Sequence, residues 1–443
     1  MGDHEQPKAE HLAVLIHGLW GNPNHLTYLR DTLRKQYSED ELHILVAKSN
    51  SDNQTYDGVE VGGERIVNEV EQELSRLEEK GHKVTKISLT GYSLGGLVAR
   101  YAVGLFYKNG LFDRIQPVNF TTFATPHLGV RTPNLGYRSY VWNFLGAKTL
   151  STSGQQLFLV DDFRGTGRNL LSILADPNSA FVKGLNLFKH KWLYANTLND
   201  RSVPYYTAMM SRTDPYRELD KIDVHYLEGQ PPPGEVLLDP QNPVSPKKSP
   251  DETMTFSERW RTVSQRTINN LPFYLILFSV LPLALPAFMI NAGYQTYKSA
   301  QRVRHHESGK AFKLDRYRFK LLEEAQAVED RVYERLAGQQ PEQYLPTPES
   351  ESQSTSETGS RNKETLELSR RESHKEKSPF PILALKQEQF DMIENLDTLA
   401  ITKYPVHIHK VRHTHAAVVV RTLKDSFAEG KVVVQHWVEK FEL

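Results

Sequence analysis

Through the first half of the chain, short apolar runs alternate with longer stretches whose apolar residues recur at helical spacing. Leu12 to Ile16, Leu42 to Ala47 and Ile87 to Thr90 have the length and composition of buried strands. Between the second and third, Gly63 to Lys80 sets Ile66, Val67, Val70, Leu74 and Leu77 on one helical face. Val118 to Ala124 and Lys191 to Ala195 continue the strand series. Strand and helix in alternation predict a mainly parallel sheet with helices on both faces.

The pattern changes several times further on. Residues 1–10 form a polar tail, and 11–230 form the alternating core. Prolines from Pro231 to Pro250 crowd a stretch that reads as a linker over 231–266. The long apolar segment, Leu271 to Ile290, lies within 267–297. Phe312 to Leu336 is charged and amphipathic, which places a surface or membrane-skirting helix in 298–340. Thr347 to Ser378 has only Leu366 and Leu368 as hydrophobic residues, so 341–380 reads as a disordered Ser, Glu and Lys-rich linker. Helical spacing returns from Ile382 through Ile393, Leu396 and Leu399. A strand at Ala416 to Val420 and a helix at Val432 to Phe441 then follow, within a final piece 381–443 expected to dock on the first sheet.

Composition narrows the function classes. The chain of 443 residues is long enough to build a sizeable core. With 54 Lys and Arg against 54 Asp and Glu there is no general basic field, which argues against a nucleic-acid partner. The absence of cysteine removes disulfides, thiolate metal sites and a cysteine nucleophile. Met1 to Glu10 shows no secretory pattern, so export by a cleaved signal is not expected.

The chemistry concentrates in two glycine-rich turns. Gly91, Tyr92, Ser93, Leu94 and Gly95 spell Gly-x-Ser-x-Gly after a β-like run and before a helical one. A nucleophilic serine on a sharp strand-to-helix turn has strained backbone angles, and the positions two before and two after it have almost no room for a side chain. His17, Gly18, Leu19, Trp20 and Gly21 follow the first strand and supply the loop from which a second oxyanion donor would come. The backbone amides of Leu19 and Leu94 fit the two donor roles. His17 itself reads as a residue that fixes the loop, because the base of this arrangement follows the nucleophile in sequence.

With these motifs in view, the chain resembles the putative serine esterases of the lipase-like α/β-hydrolases, and most closely the fungal lipid-droplet phospholipases of that group. The resemblance rests on His17 to Gly21, Gly91 to Gly96 with Arg100, Ala124 to Gly129, Asn199 to Pro204 and His415 to Arg421. It covers roughly 11–230 and 385–443. It implies an α/β-hydrolase fold and hydrolysis of carboxylic esters through an acyl-enzyme, with no metal or organic cofactor.

A catalytic relay also needs a carboxylate after a late strand and a downstream histidine. Asp200 stands in such a loop, with Asp161, Asp162, Asp214 and Asp220 as competitors and a simple turn aspartate as the plainer reading. For the base, the C-terminal piece offers His407, His409, His413 and His415. The resemblance selects Asp200 and His415, with His413 next, and gives the triad Ser93, Asp200 and His415. His127, between Pro126 and Gly129, reads as part of a turn beside the site.

Leu271 to Ile290 has the length of one membrane-spanning helix, but Pro282 and Pro286 would kink it, and Arg and Lys flank both ends. This pattern predicts a monotopic hairpin on the cytosolic face of the endoplasmic reticulum and lipid droplets, with a straight span as the rival topology. An enzyme held at that surface meets amphiphilic esters. The resemblance favours glycerophospholipids over acylglycerols or small esters, and the residues between Gly136 and Phe163 offer a lid or acyl pocket. A different class of function is a catalytically dead, membrane-tethered interaction scaffold.

Overall fold

A computed structural model describes residues 10–131, 133, 151–247, 293–306, 368, 371, 372 and 378–443. In chain order the strands are β1 (His11–Ile16), β2 (Leu42–Val46), β3 (Lys86–Tyr92), β4 (Gln116–Phe123), β5 (His190–Asn196), β6 (Ile222–Val224), β7 (Val244–Pro246) and β8 (Thr402–Val406). Six of them form one parallel sheet in the order β2-β1-β3-β4-β5-β8. The remaining pair, β6 and β7, is antiparallel.

Successive side chains of a strand point to opposite faces, so a strand covered on both sides must be apolar throughout. In β1, Leu12, Val14 and Ile16 enter one apolar layer while Ala13 and Leu15 enter the other. The first layer is closed by α2 (Val59–Glu79), α3 (Leu94–Lys108) and the helices Ala180–Asn186 and Gln387–Asp397, through residues such as Ile66, Leu97, Phe181 and Phe390. On the other face lie α1 (Thr27–Gln36) and the last helix, Ala428–Lys440, through Leu29, Leu33, Val433 and Trp437. Each such side chain, once fully buried, contributes roughly 1.5–3 kcal/mol relative to exposure. This is an α/β-hydrolase fold, with a parallel sheet of six strands and helices on both faces.

The C-terminal piece supplies the last strand. β8 runs parallel to β5, with Trp192 opposite Thr402 and Asn196 opposite Val406. Because every strand of this sheet runs the same way, the loops after β1, β3, β4, β5 and β8 all leave from one edge, where parallel sheets place their sites.

Several sequence expectations need correction. Residues 231–247 are not a free linker. Val236, Leu237 and Leu238 are fully buried, Leu237 bridges to Val406, and the Leu238 amide donates to the Pro405 carbonyl at 3.0 Å. Their apolar triplet outweighs the turn-forming prolines around it. The expected strand at Ala416 to Val420 is instead a short helix, Thr414–Ala417, followed by a turn with Val420 at φ +50°. Its valines are β-branched, yet they are buried in a loop and join no ladder. Helix also covers 293–306, of which 293–297 fall in the stretch assigned to the hairpin. Within the expected disordered linker, Leu368 and Glu372 are buried, and the Arg212 Nε donates to Glu372 at 3.1 Å. The apolar segment 271–290, the amphipathic stretch 312–336 and residues 136–150 of the expected lid lie outside the described residues. Among the described residues no helix is long and apolar enough to cross a membrane.

Candidate active site

At the end of β3 the chain makes an abrupt turn. Ser93 has φ +56° and ψ −129°, a conformation costly for any residue with a Cβ, and α3 begins at the next residue. Its amide donates to the Phe123 carbonyl at 2.8 Å, and its own carbonyl accepts from the Thr125 hydroxyl at 2.9 Å. The surrounding glycines are there for lack of space. A Cβ on Gly91 would overlap Gly96, and one on Gly95 would overlap the carbonyl oxygen of Ile16. The strained serine is thus held by β4 on one side and by the β1 loop on the other.

Asp200 lies in the loop after β5. One carboxylate oxygen, Oδ1, accepts the backbone amides of Ser202 and Val203 at 3.1 and 2.8 Å, while Oδ2 accepts from the Asn196 side chain at 2.8 Å. The plainer reading of this residue, a turn aspartate bonding its own backbone, therefore also describes it. The two roles use different oxygens.

His415, on the short helix after β8, joins the two. Its Nδ1 lies 2.8 Å from Asp200 Oδ2 and its Nε2 lies 3.0 Å from Ser93 Oγ. An ionised carboxylate only accepts, so Nδ1 carries the proton and Nε2 is free to accept from the serine hydroxyl. Orientation is set from two sides. The neighbouring Thr414 hydroxyl donates to the Leu198 carbonyl at 2.8 Å, and the Tyr92 hydroxyl donates to the His415 carbonyl at 2.9 Å. The Tyr92 and His415 rings lie 5.1 Å apart. The Asp200 side chain is almost wholly buried, whereas the imidazole keeps 17% of its side-chain surface exposed.

The competing candidates fall elsewhere. Asp161 and Asp162 accept the amides of Leu170 and Gly167. Asp214 pairs with Arg217, and Asp220 lies in a 3-10 turn before β6. His407 Nδ1 is 3.1 Å from the Thr197 hydroxyl, His409 meets Glu429, and His413 precedes the short helix. His17 is buried with Nδ1 donating to the Gly18 carbonyl at 3.2 Å, and burial lowers its pKa. It faces its own loop.

The two expected oxyanion donors flank the serine. Leu94 is the first residue of α3, where a backbone N–H has no acceptor within the helix. Leu19 follows Gly18, which packs so closely on the elbow that a Cβ there would come within 2.6 Å of Ser93 Cβ. Among the described residues neither the Leu19 nor the Leu94 amide has a hydrogen-bond partner.

Beneath the elbow lies a buried arginine–histidine pair whose bonding the motifs alone do not predict. Arg100, on α3, donates to the Leu174 carbonyl at 2.8 Å and reaches His127 Nδ1 at 3.3 Å. A guanidinium has no acceptor, so His127 must accept at Nδ1 and carry its proton at Nε2, which donates to the Thr122 hydroxyl at 3.0 Å. Desolvation lowers the pKa of Arg100 to about 9, and desolvation followed by the nearby guanidinium keeps His127 far below the usual imidazole range. His127 lies in the expected turn, which the Gly129 amide closes on the Pro126 carbonyl at 3.0 Å, and it is a buried neutral structural group there. Tyr92, Asn196 and Thr125 are further supports that sequence reasoning assigned no role. Tyr92 and Thr125 do stand within the quoted motifs.

Residues 6–213 match the model of the family described as "Putative serine esterase (DUF676)". Among curated relatives, the chain is 33% identical over 208 residues to "Putative lipase ROG1" of Saccharomyces cerevisiae, a match covering 46% of this chain and 29% of that protein. It is 32% identical over 209 residues to "Putative lipase C4A8.10" of Schizosaccharomyces pombe, covering 46% and 26%. The chain thus spans less than a third of either yeast protein. Among solved structures, a phospholipase PlaB from Legionella pneumophila aligns at TM-score 0.29 with 16% identity over 44% of this chain and 41% of that one. An alpha/beta hydrolase fold protein from Nakamurella multipartita aligns at TM-score 0.23 with 12% identity, over 46% and 80%. The family match takes in Ser93 and Asp200 but ends before His415, which is joined to them by geometry. The serine elbow and its acid both lie within residues 6–213, the stretch that is similar to the putative serine esterase family.

Proposed function

We propose that the protein is a serine hydrolase that cleaves carboxylic esters of amphiphilic lipids, with Ser93 as nucleophile, His415 as base and Asp200 as its orienting acid. The observation that carries this reading is the continuous relay of 3.0 and 2.8 Å from Ser93 through His415 to Asp200. In the mechanism, His415 takes the Ser93 proton as the oxygen attacks the ester carbonyl. The Leu19 and Leu94 amides receive the developing oxyanion. The protonated imidazole then gives its proton to the departing alcohol, and a water activated by His415 releases the acyl group.

Glycerophospholipids are the proposed substrates, ahead of acylglycerols and small esters, at the cytosolic face of the endoplasmic reticulum and lipid droplets. Support comes from the apolar, proline-interrupted run at 271–290 with basic flanks, and from relatives whose names carry the word lipase. A dead scaffold is disfavoured because all three relay members are within bonding distance.

One experiment separates these readings. Wild type, Ser93→Ala and a deletion of 271–290 are compared for fluorophosphonate labelling, for hydrolysis of phosphatidylcholine against triacylglycerol, and for membrane fractionation. Ser93→Ala should lose labelling and at least about 10³-fold of turnover. Undiminished hydrolysis by that variant would remove Ser93 from the reaction. The deletion should retain labelling and leave the membrane fraction, and a deletion protein that stays on membranes would refute the hairpin.

A further inference from the structure

The loop that carries Leu19 is closed by the Gly21 amide on the Gly18 carbonyl at 3.0 Å and is braced from outside as well. Trp20, a bulky residue, sits at φ +53°, in a region that large side chains occupy only when their surroundings impose it. The outside brace is the segment Asp52–Asp57. The Trp20 amide donates to the Thr55 hydroxyl at 3.1 Å, the Trp20 indole N–H donates to the Tyr56 hydroxyl at 2.7 Å, and the Asp52 amide donates to the Gly21 carbonyl at 2.7 Å. This segment is itself a 3-10 turn with Asp52 at φ +55°.

It is gripped in turn by the helix described over 293–306, which follows the apolar run in sequence. Ser299 donates to the Tyr56 carbonyl at 3.3 Å. Arg302 places Nε and Nη2 on the Asp57 carboxylate at 2.8 to 3.0 Å and donates from Nη2 to the Asn53 carbonyl at 2.8 Å. The Asp57 side chain is wholly buried, and Arg65 holds its Oδ2 at 2.7 Å as well. A forked guanidinium fixes direction as well as charge.

We infer that Arg302 is a positioning residue for the oxyanion hole: through Asp57 and Tyr56 it holds Trp20, and with it the Leu19 amide, in the geometry that receives the oxyanion. The helix following the apolar segment is thereby tied to the competence of Ser93, so that events at 271–290 have a bonded route to the catalytic loop. This inference rests on Leu19 being an oxyanion donor, as proposed above.

The test uses the full-length protein, a soluble short-chain p-nitrophenyl ester and a fluorophosphonate, so that membrane binding plays no part. Arg302→Met and Tyr56→Phe should each lower kcat by about tenfold, between a typical long-range coupling effect and the loss of a donor, with KM little changed. Labelling should slow to match while still reaching full stoichiometry. Arg302→Lys should recover part of the rate. Because both changes act along one route, the double variant should lose less than the product of the two single losses. Unchanged kcat, multiplicative losses, or a lower labelling endpoint at an undiminished rate would each overturn the assignment, the last by showing only loss of folded protein. A wild type that neither hydrolyses the ester nor takes the label would overturn the reading of the site itself, and this inference with it.

Discussion

Single positions carry most of the site's precision. Gly95 illustrates how little tolerance there is, because the atoms its missing side chain would strike are backbone carbonyls of the β1 loop, which cannot rotate away as a side chain can. Gly95→Ala should lower stability by about 1–3 kcal/mol and reduce labelling of Ser93, as read from urea midpoints and fluorophosphonate kinetics. A variant with wild-type midpoint and labelling would show that the loop and elbow are not in contact. Asp200 combines two duties at the same scale. One oxygen closes its own turn and the other holds an imidazole from the far end of the chain, so the aspartate is already oriented when His415 arrives.

At the scale of elements, the last helix is the cover of one sheet face, and its polar side chains have to be accommodated there. His436 on that helix lies 2.9 Å from the Tyr194 hydroxyl on β5, and desolvation lowers its pKa to about 4. His11, at the start of β1, is lowered to about 4 chiefly by the same cause. A depressed folded-state pKa means that the unfolded chain takes the proton first as the solution is acidified. Stability from each neutral histidine is therefore complete above about pH 6.5 and drains away as pH falls toward 4. His436→Gln should reduce the loss of stability between pH 7 and 4.5 by on the order of 2 kcal/mol, measured by urea unfolding at the two pH values. An identical pH slope in the variant would show that His436 is protonated in the folded state.

The whole molecule is closed by residues distant in sequence. β8 and the last helix complete the sheet that β1 to β5 begin, and Trp437 donates to the Thr121 hydroxyl of β4 at 3.2 Å within the core. A specific protease site introduced near residue 355 should therefore yield two fragments that co-elute and remain labelled at Ser93. Fragments that separate without denaturant would show that the C-terminal piece is not part of the hydrolase core. The same closure explains why Pro-rich 231–247 is folded, since β8 offers it an edge at Val406.

The alternation of buried strands and amphipathic helices, the glycine elbow around Ser93 and the loop at His17 to Gly21 were all legible in the sequence, because each depends on local sterics and periodicity within a short window. Leu237, Leu368 and Val418 to Val420 were misread for the opposite reason. Their surroundings are built from other parts of the chain, and composition cannot report a distant partner. Four histidines in the C-terminal piece were chemically equivalent as candidates for the base. Only the packing of β8 against β5 carries His415, and none of the others, into the space between Ser93 and Asp200, because a hydrogen bond is settled by tenths of an ångström that no spacing along the chain encodes.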